Sequence, residues 1–344
     1  MTRQRPLRKL GFAHLVPLDR ADPAASLEEA LKLFEYAESV GLDGGWVRTR
    51  HLQRALPAAA PFLAAASQRT SRIELGNATI PVGYENPFRL AEDLSVVDRL
   101  SGGRLQPALS VHAPSYDDED VIARVHGEGW RGEDYTYGRI ERLLGFLRGE
   151  PVRDLPDQPI ERPAVPSLES ERVEPQSPGL VDRVWYGGGS LRSAEWAGRT
   201  GLNWLVSNIS TSENGVTDFA QAQRNQIDLF RAHHPLGDAA LVGQGHVVVP
   251  VDGATPTQIA RYTEYVQRRT PRTESVQRRG TLIAKDAFGA LDDLLEYFEH
   301  DVAFAAADEF VFELPFEFEY DDYIHIIHQL ATRVGPALGW TPKV

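Results

Sequence analysis

Cysteine is missing from this 344-residue sequence. Its absence excludes disulfide bonds, zinc and iron–sulfur sites bound by cysteine, and cysteine nucleophiles. Long hydrophobic runs are missing as well, since no apolar stretch approaches the roughly 20 residues that a membrane helix needs. The basic residues 1–9 are followed by Pro17, Asp19 and Arg20 rather than by an apolar segment, which is not the pattern of a secretory signal. We therefore expect a cytoplasmic protein that does not associate with membranes.

Basic residues are also fewer than acidic ones. Lys and Arg total 36 against 49 for Asp and Glu, which gives a net charge of −13. Nucleic-acid binding needs a positive surface to neutralise phosphates, so we expect no nucleic-acid partner. Hydrophobic residues make up 42 % and charged residues 25 %, as in ordinary globular proteins. The length fits either two domains of average size or one α/β barrel.

Short apolar segments alternate with helical patterns along the chain. Ser26 and Glu29 have the spacing of a capping box, and Pro87 fits the first turn of another helix. Further helices are predicted at residues 61–68, 190–199, 219–233, 256–268, 291–300 and 323–334. The predicted strands are residues 10–16, 45–47, 73–80, 105–111, 184–186, 204–207, 246–250 and 310–314.

Strands that alternate with helices indicate a parallel sheet with crossover helices. About eight such repeats favour a (β/α)₈ TIM barrel, treated as a single domain over residues 1–344. A doubly wound open sheet is the alternative fold. Residues 149–182 interrupt the alternation with many Pro, Glu and Arg residues, and they read as a long irregular insertion or a lid-like loop.

A glycine-rich turn follows the fifth predicted strand. Residues 185–190 read WYGGGS, and a helix begins at Ser190. This geometry directs free backbone N–H groups and the positive end of a helix dipole toward one point, as in a phosphate site. Ser190, Arg192 and Ser193 offer further donors. The alternative is a tight turn between strand and helix that holds no ligand.

Two other segments end strands at the face of a barrel where active sites are built. Residues 48–51 read RTRH, a basic cluster that suits an anionic substrate or developing negative charge, or else forms a solvated loop. Residues 76–79 read GNAT, small side chains that allow close approach of a ligand or merely tight packing. The adjacent His233 and His234 point in different directions on a helix, so we predict no metal site.

The chain resembles the luciferase-like flavin-dependent monooxygenases, the superfamily of bacterial luciferase and alkanesulfonate monooxygenase. The resemblance covers nearly the whole chain, and residues 98–105 (DRLSGGRL) are its most diagnostic stretch. The other segments that carry it are residues 31–43 (LKLFEYAESVGLD), 69–76 (RTSRIELG), 86–93 (NPFRLAED) and 186–190 (YGGGS).

The resemblance implies a (β/α)₈ barrel that uses reduced FMN and O₂ to oxygenate a small organic substrate. It also implies a separate flavin reductase as partner and a homodimer. A non-proline cis peptide bond under the flavin ring is implied at Ala78–Thr79. The family's phosphate-binding positions correspond to Gly188, Gly189, Ser190 and Ser193.

The sequence departs from the family pattern at two positions. Many members carry Glu-His-His where this chain has Thr49, Arg50 and His51, so Arg50 stands at the catalytic position and one His remains. Luciferase has a phosphate-binding Arg where this chain has Val111. We assign catalysis to Arg50 and His51. An oxidoreductase that uses the deazaflavin F420 and a flavin-binding protein without catalysis are the alternatives.

Overall fold

A closed barrel of eight parallel strands organises the part of the chain that the computed structural model describes, residues 6–111, 119–153 and 169–343. Each barrel strand pairs with the next one in chain order, and the pairing of the last strand with the first closes the ring. The (β/α)₈ prediction is therefore confirmed. The eight strands are β1 (Lys9–His14), β2 (Gly44–Val47), β3 (Glu74–Pro81), β4 (Leu105–Ser110), β5 (Trp185–Gly187), β6 (Asn203–Val206), β8 (Val242–Pro250) and β11 (Glu309–Glu313).

Three short strands lie outside the ring of eight and were not predicted. β7 (Ile209–Thr211) and β9 (Thr281–Ile283) pair antiparallel as a separate two-stranded ribbon. β10 (Ala287–Gly289) pairs with the last three residues of β8, beyond the point where β6 ends. The backbone of Ile209 on β7 lies close to Gly189, directly after β5, so the ribbon stands beside the C-terminal end of β5 and forms part of a cavity wall there.

Helices connect the strands and cover the barrel. In chain order they are α1 (Pro23–Ser39), α2 (Ala59–Arg69), α3 (Pro87–Ser101), α4 (Glu119–His126), α5 (Tyr137–Arg148), α6 (Leu191–Thr200), α7 (Phe219–His233), α8 (Pro256–Arg269), α9 (Leu291–His300) and α10 (Tyr320–Gln329). A π-helical turn, Leu330–Val334, and a last short helix, α11 (Gly335–Ala337), follow α10. α4 and α5 were not predicted.

The predicted start of the first helix is wrong by one turn. Asp22, not Ser26, is the N-cap of α1, and its carboxylate accepts a hydrogen bond from the Ala25 N–H at 2.9 Å. Pro23 occupies the first turn, where the missing N–H costs nothing. Asp22 followed by Pro23 is an earlier start signal, so Ser26 falls inside the helix.

Aromatic residues join the barrel wall to the helices around it. Phe12 on β1 contacts Phe34 on α1 edge to face, with ring centroids 5.0 Å apart, and Phe34 contacts Phe62 on α2 at 5.6 Å. A Cβ at Gly45 would lie 2.6 Å from the Phe34 ring, so glycine allows α1 to pack directly on β2. Burial of such side chains is the main source of stability in this layer.

The described ends of the insertion lie beside the N-terminal ends of the barrel strands. Arg183 donates to both carboxylate oxygens of Asp98, at 2.8 and 2.9 Å, and to the carbonyl of Leu105, the first residue of β4, at 3.0 Å. Ser177 donates to Asp98 Oδ2 at 2.5 Å. The described residues of the insertion are irregular apart from the 3₁₀ turn Val181–Arg183, and none of them covers the barrel as a lid. Residues 154–168 lie outside the described part.

Candidate active site

A cavity of about 510 Å³ opens at the C-terminal ends of the barrel strands. This size is within the range of small-molecule and cofactor sites. It brings together three segments that the sequence analysis singled out: the residue Arg50, the pair Ala78–Thr79 and the turn Gly187–Ser190. The remaining lining residues are Ala13, Arg48, Ser110, Leu205, Val206, Ser207, Ile209, Ser210, Thr211, Gly245, Val311 and Glu313.

A second cavity, of about 590 Å³, lies outside the barrel beside α7, β9 and α9. Its polar lining includes Asp218, Lys285 and Tyr297. It contains none of the residues that the sequence analysis assigned to a site, and active sites of this fold are built at the C-terminal ends of the strands. The smaller cavity is therefore the candidate active site.

The glycine that ends β5 and the two glycines after it are required by close packing. A Cβ at Gly187 would lie 2.3 Å from Thr79 Cγ2, and one at Gly188 would lie 2.7 Å from the Trp204 ring. A Cβ at Gly189 would lie 3.0 Å from the Ile209 carbonyl oxygen on β7. Because side chains are excluded here, the backbone itself forms this wall of the cavity.

The start of α6 offers unpaired N–H donors. Ser190 is the N-cap, and its hydroxyl oxygen accepts a hydrogen bond from the Ser193 N–H at 3.2 Å. No acceptor among the described residues reaches the N–H groups of Gly189, Ser190 or Arg192. We call this group, formed by Gly188, Gly189, Ser190 and the first turn of α6, the anion seat, because a helix dipole adds positive potential to its free donors.

Ser193 lies behind Ser190 and does not line the cavity. Ser190 Oγ donates to Ser193 Oγ at 2.9 Å, and Ser193 Oγ is 3.1 Å from the hydroxyl of Tyr137 on α5. The hydroxyl chain holds the Ser190 side chain in one orientation. Arg192 does not line the cavity either; its guanidinium carbon lies 5.9 Å from the centre of the Tyr137 ring.

The small residues of β3 have two roles: some pack inside the barrel, and others line the cavity. A Cβ at Gly76 would lie 2.1 Å from Trp46, so this glycine makes room for a tryptophan inside the barrel. Asn77 donates to Thr49 Oγ1 at 2.8 Å. The Ala78–Thr79 peptide bond is cis, as the resemblance implies, and both residues line the cavity.

Two arginines from the loop after β2 line the cavity, and only one of them forms an ion pair among the described residues. Arg48 Nη1 lies 2.5 Å from Glu313 Oε2, a largely buried ion pair. The side chain of Arg50 makes a single hydrogen bond in the described part of the chain, to the Thr49 carbonyl at 3.3 Å. Burial and the neighbouring Arg48 lower the pKa of Arg50 to about 10, although the nearby Glu313 carboxylate opposes this shift, so Arg50 remains protonated at neutral pH.

His51 does not line the cavity. Its ring stacks on Tyr84, with centroids 4.0 Å apart, and Tyr84 in turn contacts His126 on α4 at 4.9 Å. Burial and the nearby His126 lower the pKa of His51, so the ring is neutral at pH 7. Its Nε2 is buried and has no hydrogen-bond partner among the described residues.

Sequence reasoning did not find Glu313 or the β7 residues of the cavity wall. Glu313 ends the last barrel strand, and the rule that polar residues at the C-terminal ends of barrel strands read as functional could have identified it. β7 has three residues and gave no periodic signal. Among the described residues no group of three or more His, Asp or Glu side chains is arranged to hold a metal ion.

The fold and this cavity define a (β/α)₈ barrel protein with a cofactor-sized cavity at the C-terminal ends of its strands. The profile of the family described as luciferase-like monooxygenase matches residues 10–279. The chain therefore belongs to the luciferase-like monooxygenase family. None of the helices in the described ranges is both long and apolar enough to cross a membrane.

Among curated proteins, limonene 1,2-monooxygenase from Rhodococcus erythropolis is 30 % identical over 222 residues. That match covers 60 % of this chain and 56 % of the relative, so the chain spans little more than half of the relative's length.

Two solved structures share the fold over nearly their whole length. The oxygenating constituent of 3,6-diketocamphane monooxygenase from Pseudomonas putida, in complex with FMN, has a TM-score of 0.65 at 14 % identity, over 96 % of this chain and 98 % of that one. The F420-dependent tetrahydromethanopterin reductase from Methanopyrus kandleri has a TM-score of 0.62 at 16 % identity, over 96 % and 99 %. At such identities the likeness shows the fold alone.

Proposed function

We propose that this protein is an FMN-dependent monooxygenase of the two-component type. A separate reductase supplies reduced FMN, and O₂ and a small organic substrate are the other reactants. The observation that carries the proposal is one cavity that joins the anion seat to a protonated arginine that forms no ion pair among the described residues. The family, and the FMN-bound oxygenating constituent among proteins of the same fold, support it.

The residues of the cavity fit an FMN molecule. The unpaired N–H groups of Gly189 and Ser190 suit a phosphate, and a Cβ at either Gly188 or Gly189 would intrude on its neighbours. We assign the phosphate to Gly188, Gly189 and the hydroxyl of Ser190, with Ser193 fixing that hydroxyl. Ala78–Thr79 would lie against the ring system. Reduced FMN, when bound, supplies the electrons that activate O₂.

In this proposal Arg50 and His51 have different roles. Arg50 is a permanent cation on the cavity wall, so it stabilises negative charge that develops near the flavin, but it cannot act as a base. His51 is neutral at pH 7, and its ring is partly exposed, so it can accept or release a proton. Because His51 does not line the cavity, a water molecule has to link it to the reacting groups.

The test is a cofactor titration followed by an oxygen-uptake assay. The proposal requires saturable FMN binding and O₂ consumption that depends on an organic substrate. Binding of F420 in preference to FMN would support the alternative of an F420-dependent oxidoreductase, a class represented among proteins of this fold. Flavin binding without turnover on any substrate would support a non-catalytic flavin-binding protein.

The purified protein is expected not to oxidise NADH or NADPH when only FMN is added. The dinucleotide-binding pattern G-x-G-x-x-G follows none of the predicted strands, so the chain has no sequence signature for a nicotinamide cofactor. Absorbance at 340 nm is the measurement. A flavin reductase, or chemically reduced FMN, should restore oxygenation. Rapid NAD(P)H consumption by the protein alone would contradict the two-component assignment.

Replacing His51 with alanine is expected to lower turnover by about tenfold while FMN affinity changes little. The loss stays below the range of a direct acid–base residue, about a hundredfold or more, because water can take over part of the proton transfer. Turnover is measured from pH 5 to 9, together with an FMN titration. His51→Asn is the control, since it keeps a polar side chain that does not titrate. Wild-type turnover and an unchanged pH profile in both variants would contradict the assignment.

A further inference from the structure

A carboxylate already occupies one donor at the start of α6. The N–H of Leu191, the first residue of the helix, donates to Glu213 Oε2 at 2.6 Å. Glu213 forms no ion pair with a Lys, Arg or His side chain in the described ranges. The negative charge of Glu213 is thus held at the positive end of the helix, next to the N–H groups that we assign to a phosphate.

Glu213 belongs to a turn that is anchored to the β7–β9 ribbon and not to the barrel sheet. The Ser212 N–H donates to the Gly280 carbonyl at 2.7 Å, and the Ser212 hydroxyl donates to the Val216 carbonyl at 2.7 Å. Asn214 and Gly215, the next two residues, both have positive φ angles, 55° and 78°. Moving the Glu213 side chain away from α6 therefore breaks no hydrogen bond of the barrel.

We propose that the Glu213 carboxylate competes with the phosphate of the cofactor for the start of α6 and so keeps FMN affinity low. This inference rests on the proposed function. A carboxylate and a phosphate side by side repel each other, and both gain from the same helix end. The phosphate can bind fully only when the carboxylate leaves or when the repulsion is tolerated. In either case Glu213 opposes the phosphate and not the flavin ring.

This competition suits a protein that receives reduced FMN from a partner and returns the oxidised form. A cofactor that is exchanged in every cycle has to dissociate readily, and a built-in competing anion achieves this without weakening contacts to the ring. Glu213 is accordingly a specificity-determining residue for the cofactor. The Glu213 carboxylate disfavours the negatively charged phosphate. It therefore controls the difference in affinity between FMN and riboflavin, which lacks the phosphate.

The test is Glu213→Gln, with FMN and riboflavin affinities measured by flavin fluorescence titration. Glutamine keeps an oxygen that accepts from the Leu191 N–H but removes the charge. We expect FMN to bind about tenfold more tightly, equal to about 1.4 kcal/mol, and riboflavin affinity to stay unchanged. The control is Glu195→Gln, which removes one charge from an exposed residue of the same helix that pairs with Arg199 at 2.7 Å. It should change neither affinity.

The following results would contradict the inference. Unchanged or weaker FMN binding in Glu213→Gln would overturn it, and so would an equal gain for FMN and riboflavin, since Glu213 would then act on the fold and not on the phosphate. Glu213→Ala must give the same sign if the glutamine variant is unstable. If wild-type protein binds neither flavin, the proposed function itself fails, which is a result distinct from FMN binding that ignores Glu213.

Discussion

Ser190→Asp is expected to weaken FMN binding by about a hundredfold. Aspartate is as good an N-cap as serine, so its carboxylate can accept the Ser193 N–H and α6 should begin at the same residue. The new charge lies in the anion seat, where it meets the phosphate. Two like charges about 4 Å apart near a protein surface repel by about 4 kcal/mol, and solvent screening reduces this to the expected loss. Fluorescence titration with FMN measures it.

Ser190→Asn is the matched control for this experiment. Asparagine has the size of aspartate and caps helices as well, but it is neutral. It should bind FMN within a few-fold of the wild-type protein, and riboflavin should bind all three proteins alike. Wild-type FMN affinity in Ser190→Asp would mean that the phosphate does not bind at the start of α6.

Arg50→Ala is expected to lower turnover by about a hundredfold or more, with FMN affinity changed only a few-fold. Removing one preorganised donor from a developing negative charge typically costs about a hundred- to a thousandfold in rate. Arg50 makes one side-chain hydrogen bond within the described residues, to the carbonyl of Thr49, so its loss leaves no buried carboxylate there without a partner. Product formation at saturating reduced FMN is the measurement.

Two further variants separate charge from position. Arg50→Lys keeps the positive charge and should retain part of the turnover that alanine loses. Arg54→Ala removes an exposed arginine from the same loop, outside the cavity, and should leave turnover unchanged. Arg50→Ala that turns over at the wild-type rate would remove Arg50 from the proposed chemistry.

The sequence was sufficient to predict the barrel because its signals are local and repeated. Each barrel strand is an apolar segment followed by a helical pattern, and errors of a few residues at the ends do not change the order of the elements. α5 carries an equally readable signal that was missed: Thr136 caps it, and Ile140, Leu143 and Leu147 are buried on one face. β7, β9 and β10 have three residues each, too few to show any periodicity.

Only the local parts of the candidate site could be predicted from the sequence. The turn at residues 187–190 and the pair Ala78–Thr79 are local features, and the sequence analysis named both. The partner of Arg48 is Glu313, 265 residues later. The carboxylate on Leu191 comes from Glu213, in the turn that follows β7 and is anchored to a ribbon whose two strands are far apart in the chain. The closing of the barrel produces the first pair and the ribbon positions the second, and no spacing within one sequence encodes either of them.

Hydrogen bonds join the two described ends of the insertion to each other, and this determines how freely the length of the insertion can vary. The Val152 N–H donates to the Glu171 carbonyl at 2.7 Å, and Arg153 donates to the Ser170 carbonyl at 3.1 Å. The chain between these residues begins and ends at one point, whatever its length. In general, the entropy cost of joining two fixed points by a chain segment grows slowly, by about 0.6 kcal/mol for each doubling of its length. Segments of very different size can therefore be exchanged there in evolution or by engineering, at the end of the barrel opposite the cavity, without disturbing the cavity.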